Sequence, residues 1–253
     1  MKKLLVAACA ATAMFAPMTA SAGDVSGSAS LDYVTDYVFR GVSFAGAALQ
    51  PGIELAVGDA YVGIWGSTPL GTASALGGDE IDFYAGYGFG LSDSLSADVG
   101  ITYYYFPQTG GFLSDDAGSY EVYGGLSLDS VLSPSVYAYY DLTLEALTLE
   151  GSIGHSVGLS DSVSLDLGLT GGLVDVSGGS YEWATGSASI GFPIGGAVSG
   201  YVGVNYSLNS EDNLGFVGGS DLITDADGFF DIDPNFSQSG DLFWAGAGIA
   251  ADF

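Results

Sequence analysis

Asp32-Tyr-Val-Thr-Asp-Tyr-Val-Phe-Arg-Gly41 is the stretch on which the reading of the fold turns. Taken with a period of two, Leu31, Tyr33, Thr35, Tyr37 and Phe39 share one face, and Asp32, Val34, Asp36, Val38 and Arg40 share the other. One face is largely aromatic; the other carries two acids and a base. That division suits a strand set between lipid and a polar interior.

The same alternation recurs along the chain. Ile81, Phe83, Ala85, Tyr87 and Phe89 oppose Glu80, Asp82, Tyr84 and three glycines; Leu95, Ala97, Val99 and Ile101 oppose Ser96, Asp98, Gly100 and Thr102; Val163, Leu165, Leu167 and Leu169 oppose Ser164, Asp166, Gly168 and Thr170. A helix would scatter these sets around its circumference, whereas a strand separates them. Gly90-Leu-Ser-Asp-Ser-Leu-Ser and Gly158-Leu-Ser-Asp-Ser-Val-Ser form a faint repeat, with Asp and Ser marking a tight turn between alternating runs.

The pattern predicts twelve strands, at roughly 25–43, 49–58, 60–68, 79–91, 94–106, 119–130, 133–142, 145–158, 163–174, 180–191, 197–208 and 240–253. Short connections fall near 59, 92, 131, 160 and 194, and longer ones at 69–78, 107–118 and 209–239. An even number of antiparallel strands, with short and long connections alternating, predicts an all-β transmembrane barrel whose short turns face the periplasm.

The beginning of the sequence agrees. Met1-Lys2-Lys3 precedes an apolar run, Leu4–Ala16, and Ala20-Ser21-Ala22 has the form of a signal-peptidase site. The expectation is a secretory signal over 1–22, cleaved after Ala22, and a barrel over 23–253 in the outer membrane. The lone cysteine, Cys9, lies in the leader, so the exported chain forms no internal disulfide. After residue 22, Arg40 stands alone against 30 acids. Such a chain lacks the bases to neutralise phosphates, which excludes nucleic acid as a partner. Glycine, 41 of 253 residues, is roughly twice its usual share of about 7%, which argues against helices.

Aromatic residues gather where the strands meet the long connections: Trp65, Phe83, Tyr84, Tyr103–Phe106, Tyr120, Tyr123, Tyr181, Trp183, Tyr206, Phe243 and Trp244. The expectation is an interfacial girdle in contact with outer-membrane lipid; a soluble β-sandwich would use the same rings as core. The tail favours the barrel. Phe243, Ala245, Ala247, Ile249, Ala251 and Phe253 alternate up to a terminal Phe, which resembles the signal by which the barrel assembly machinery recognises its clients.

Asp36-Tyr-Val-Phe-Arg-Gly41, Gln50-Pro-Gly52 and Tyr61-Val-Gly-Ile-Trp-Gly-Ser67 resemble the TorF-type porin family of proteobacterial outer-membrane proteins, and Leu149-Glu-Gly-Ser-Ile-Gly-His155 is similar to it too. The resemblance implies an outer-membrane location and a pore, with no established substrate.

The polar faces place Asp32, Asp36, Glu54, Glu80, Asp82, Asp98, Glu121, Glu150, Asp166 and Glu182 inward with Arg40, as pore-lining candidates. The plainer reading is a hydrated lining; the functional one is a path for small cationic or neutral solutes. Twelve strands lie between filled eight-stranded barrels and the open porins of sixteen or more, so a narrow channel is expected. His155, the only histidine, falls on the lipid face with Ser156 opposite, so no nucleophile–base pair forms there and no enzyme is expected. Asp225, Asp227, Asp231 and Asp233 offer four carboxylates around Gly228, a candidate calcium site, though a solvated acidic loop explains them as well. No other cofactor is expected. The leading function is a porin-like channel for passive diffusion, cation-preferring; the alternative is a non-conducting barrel whose acidic outer loops bind ions or surface partners.

Overall fold

The computed structural model describes residues 25–71, 78–114, 117–176, 179–210 and 240–253. Its wall is a closed antiparallel barrel of twelve strands. In chain order these are β1 (Val25–Val34), β4 (Ala48–Val57), β5 (Ala60–Pro69), β6 (Glu80–Gly90), β7 (Leu95–Tyr105), β8 (Gly118–Leu128), β9 (Ser135–Asp141), β10 (Ala146–Gly158), β11 (Ser164–Val176), β12 (Gly179–Gly195), β13 (Val198–Asn209) and β14 (Asp241–Asp252). Each pairs with its neighbour in sequence, and β1 closes the ring on β14, with Leu31 opposite Ile249.

The two faces of this wall are inverted relative to a soluble sandwich. Ile53, Ile64, Ile101, Leu149, Leu169 and Val204 point outward and are exposed, while Gln50, Glu54, Asp98, Glu121, Thr148 and Asn205 point inward and are buried. A sandwich would bury the first set. A barrel in lipid exposes them to acyl chains and keeps the polar set inside. No helix of the described residues is long and apolar enough to cross a membrane; the strands make the crossing.

The first strand departs from expectation. The reading of 25–43 as one strand is corrected: β1 ends at Val34, and the chain folds back into the barrel as a hairpin, β2 (Tyr37–Phe39) and β3 (Val42–Ala45). Thr35 fixes the departure point, where its amide donates to the Ala245 carbonyl at 2.9 Å and its Oγ1 accepts from the Ala245 amide at 2.9 Å. The hairpin turns on Arg40 and Gly41, with φ of 48° and 77°. Two successive residues at positive φ suit a tight hairpin turn whose twist matches its strands. Gly41 takes this conformation freely, whereas Arg40 is strained in it.

The hairpin carries its own apolar packing. Tyr37, Val38 and Ala45 join Val34, Ala48 and Trp244 in one buried cluster, against which Phe39, Phe44 and Trp65 lie. Tyr37 sits 5.6 Å from Trp65 and 5.7 Å from Phe44, ring centre to ring centre. Tyr37 and Phe39 are therefore interior residues, and their assignment to a lipid face is corrected.

The girdle needs the same correction at its tryptophans and at Tyr84, Tyr104, Tyr123 and Tyr181, whose rings lie on the inner side of the wall. Trp183 and Trp244 are buried within the barrel, and Trp65 packs against the hairpin. Phe83, Tyr103, Tyr105 and Tyr120 do lie outside, around Phe112 of the β7–β8 connection; Tyr103 stacks on Tyr120 at 4.6 Å.

Candidate functional site

Below the hairpin the lumen holds a cavity of about 800 Å³, which reaches from Arg40 to the short turns at Asp59, Ser94 and Asp129. Wall strands β4 to β12 each bring an inward face to it, so its chemistry is set by residue parity.

Arg40 is its roof. The guanidinium donates from Nη1 and Nη2 to the two carboxylate oxygens of Glu121, at 2.7 and 2.9 Å. Tyr104 adds a hydroxyl donor to Glu121 at 2.9 Å. The guanidinium lies 4.6 Å from the ring centre of Phe39 on its own hairpin and 4.6 Å from that of Tyr139 on β9. Burial works against its charge, but the Glu121 carboxylate outweighs burial and holds Arg40 above its usual pKa. Bidentate pairing fixes orientation as well as energy. On the other side of the turn, Asn209 Nδ2 donates to the Gly41 carbonyl at 3.1 Å. The hairpin is thus held to β8 and β13 at once.

Along β4 to β9 the cavity wall is built of tyrosines and carboxylates. Tyr61 donates to Asp98 at 3.0 Å and lies 2.6 Å from the Tyr123 hydroxyl; Tyr84 donates to Glu54 at 3.2 Å. Each of these rings has a glycine directly opposite it on the neighbouring strand: Tyr61 with Gly86, Tyr84 with Gly63, Tyr123 with Gly100, and Tyr137 with Gly125. A Cβ at any of these four glycines would collide with the ring. Glycine here makes room for a ring laid across the backbone, which keeps the centre of the lumen open. Along β10 to β12 the tyrosines give way to small side chains, Ser152, Thr170, Ser187 and Ser189, beside the carboxylates Glu150 and Asp166.

The candidates expected from sequence divide as follows. Arg40, Glu54, Asp82, Asp98, Glu121, Glu150 and Asp166 line the cavity. Asp32 points inward near β14 and accepts from the Tyr201 hydroxyl at 2.7 Å. Glu80 is buried above the cavity, beside the hairpin. Asp36 lies in the bend between β1 and β2, off the wall strands, and accepts from Ser43 Oγ at 3.2 Å. Glu182 is a correction. It pairs with Leu173 on the outward face of β11, and its neighbours Tyr181 and Trp183 take the inward places. His155 points outward, its Nδ1 2.9 Å from the Val131 carbonyl oxygen near a short turn. Asp225, Asp227, Asp231 and Asp233 lie outside the described residues. Among the described residues no group of three His, Cys, Asp or Glu is placed to hold a metal ion. Of the lumen tyrosines, the sequence reading puts Tyr84 and Tyr123 in the girdle and gives Tyr61 and Tyr137 no lumen role, although their parity is that of inward residues.

A family model matches residues 18–188, two thirds of the chain. The chain belongs to a bacterial protein family of unknown function, Gcw_chp. No curated protein matches it. Solved structures share the barrel. The KdgM porin aligns with a TM-score of 0.55 at 10% identity, covering 89% of this chain and 99% of that one. A second structure, the KdgM porin in complex with disordered oligogalacturonate, gives 0.54 at 9%, over 90% and 99%. The NanC porin gives 0.52 at 12%, over 89% and 98%. At such identities the likeness is one of fold: this Gcw_chp chain is an outer-membrane type barrel with its own lumen chemistry.

Proposed function

We propose that this Gcw_chp protein is an outer-membrane channel for passive diffusion of small cationic or neutral solutes, with its short turns in the periplasm. The observation that carries the reading is the lumen itself: a cavity of about 800 Å³ lined by Glu54, Asp82, Asp98, Glu150 and Asp166, in which Arg40 is already engaged by Glu121. Carboxylates distributed around one lumen give it one sign of field, which concentrates cations and repels anions. An anionic sugar such as oligogalacturonate, held by the KdgM porin, would meet the wrong charge here. The stretch that resembles TorF-type porins, Asp36–Gly41, covers β2 and the turn of the hairpin, and on this reading the hairpin is the channel's internal constriction.

The hairpin also favours a second reading, a barrel that conducts poorly or not at all and binds ions at its outer face. Purified protein in a planar bilayer separates the two. The channel reading expects steps in KCl and a reversal potential of cationic sign across a salt gradient. Absence of conductance from wild type and from a hairpin-released variant alike would favour the second.

A further inference from the structure

We propose that the cavity beneath the hairpin is a binding site for linear aliphatic polyamines; the inference rests on the acidic-lumen reading above and names the ligand class of that lumen. The cavity, about 800 Å³, falls within the range of about 300–1,000 Å³ typical of small-molecule sites. It ends at Tyr37, Phe39 and Arg40 and reaches the rim at the short turns, so it has the shape of a vestibule entered from one side.

Its charge calls for a partner. Both carboxylate oxygens of Glu121 are bound to Arg40, and among the described residues no other acid of the cavity forms an ion pair. Asp82 and Asp166 are 9% and 7% exposed, and Oδ1 of each has no hydrogen-bond partner. Buried polar atoms without partners are costly and are ordinarily satisfied by something.

The arrangement also selects among cations. The acids are spread over β4, β6, β7, β10 and β11, and nowhere among the described residues do three of them gather as a metal ion requires. One compact ion cannot draw three ligands from such an arrangement; several ammonium groups on a flexible chain can meet the carboxylates separately. Tyr61, Tyr84, Tyr123 and Tyr137, laid across glycines, offer ring surface to ammonium and methylene groups alike. The serine and threonine hydroxyls of β10 to β12 accept hydrogen bonds from N–H donors.

Isothermal titration of the folded protein in detergent with spermidine, putrescine and MgCl2 tests this. Spermidine should bind at least about tenfold more tightly than Mg²⁺, with putrescine between them. Asp82→Asn with Asp166→Asn should weaken spermidine by about tenfold or more, and Tyr84→Leu by a smaller factor. Gel mobility without heating confirms folding, and Asp98→Asn with Tyr123→Leu replaces any variant that does not fold. Equal affinity for Mg²⁺, or lumen variants that bind as wild type does, would overturn the proposal. Bilayer recording separates the two claims. Conductance in KCl without spermidine binding leaves the channel and removes the site; lumen-dependent binding without conductance does the reverse.

Discussion

Arg40 and Glu121, 81 positions apart in sequence, meet inside the barrel through two parallel hydrogen bonds of 2.7 and 2.9 Å. Their side chains are 9% and 4% exposed, close to the limit at which removing one partner of an ion pair costs about 3–5 kcal/mol. Arg40→Ala should therefore lower the stability of the folded barrel by an amount approaching that range, read as a shift of the urea midpoint for folding into vesicles. Arg40→Met with Glu121→Gln should cost less than Arg40→Ala alone, because no charge is left buried without a partner. A double variant as damaged as the single would place the cost in lost packing on Phe39 and Tyr139.

The tyrosine–glycine pairs make a separate claim. Gly86→Val should displace the Tyr61 ring and break its bond to Asp98, at a cost of about 1–3 kcal/mol for overpacking. Tyr61→Ala vacates the same space, so the double variant should be more stable than the sum of the two single effects predicts, by about 0.5 kcal/mol or more. Strict additivity of the urea midpoints would mean that the ring does not rest on Gly86.

The pairs and the lumen acids were legible in the sequence to different degrees. Parity along Glu80–Gly90 and Leu95–Tyr105 is unambiguous because one side meets lipid, and a one-residue slip would turn every carboxylate outward. Parity fails where both sides are aromatic. In Tyr181-Glu182-Trp183 hydropathy favours putting the acid inward, yet the two rings are drawn in by packing within the barrel. Period two also cannot distinguish a wall strand from an internal hairpin, since both alternate. Length could have done so: a strand over 25–43 far exceeds the roughly 9–11 residues that cross a membrane. Arg40-Gly41 between Val38-Phe39 and Val42-Ser43-Phe44 is the turn that resolves the excess.

Ion selectivity follows from the lumen charge. In a KCl gradient near 0.01 M, where screening reaches about 30 Å, the wild type should show clear cation preference, falling in 1 M salt as the screening length drops to about 3 Å. Asp98→Asn with Glu150→Gln should reduce the preference, and Arg40→Ala should increase it. Anion preference in the wild type would refute the assignment of the lumen.

Gly41→Val tests the hairpin as a constriction. Gly41 has φ of 77°, and a Cβ there would come within 2.6 Å of Trp183 Cβ. A β-branched residue fits neither the backbone nor the space, so the turn should be driven from its seat. Single-channel conductance should rise above that of wild type, while heat-modified mobility remains that of a closed barrel. Unchanged conductance would mean that the hairpin does not limit flow.

The ring is sealed between β1 and β14, the first and last strands of the wall, while the hairpin follows β1 directly. The stopper is therefore synthesised almost first and the vessel's seam almost last. Both ends of the hairpin hang from one rim, at Val34 and Ala48, so it needs no passage through the wall to reach its seat. Thr35 and Ala245 join its root to the closing strand, so the contact that anchors the hairpin exists only once β14 is in place. A fold that seals its seam beside the root of its stopper makes closure of the ring and seating of the plug depend on one strand.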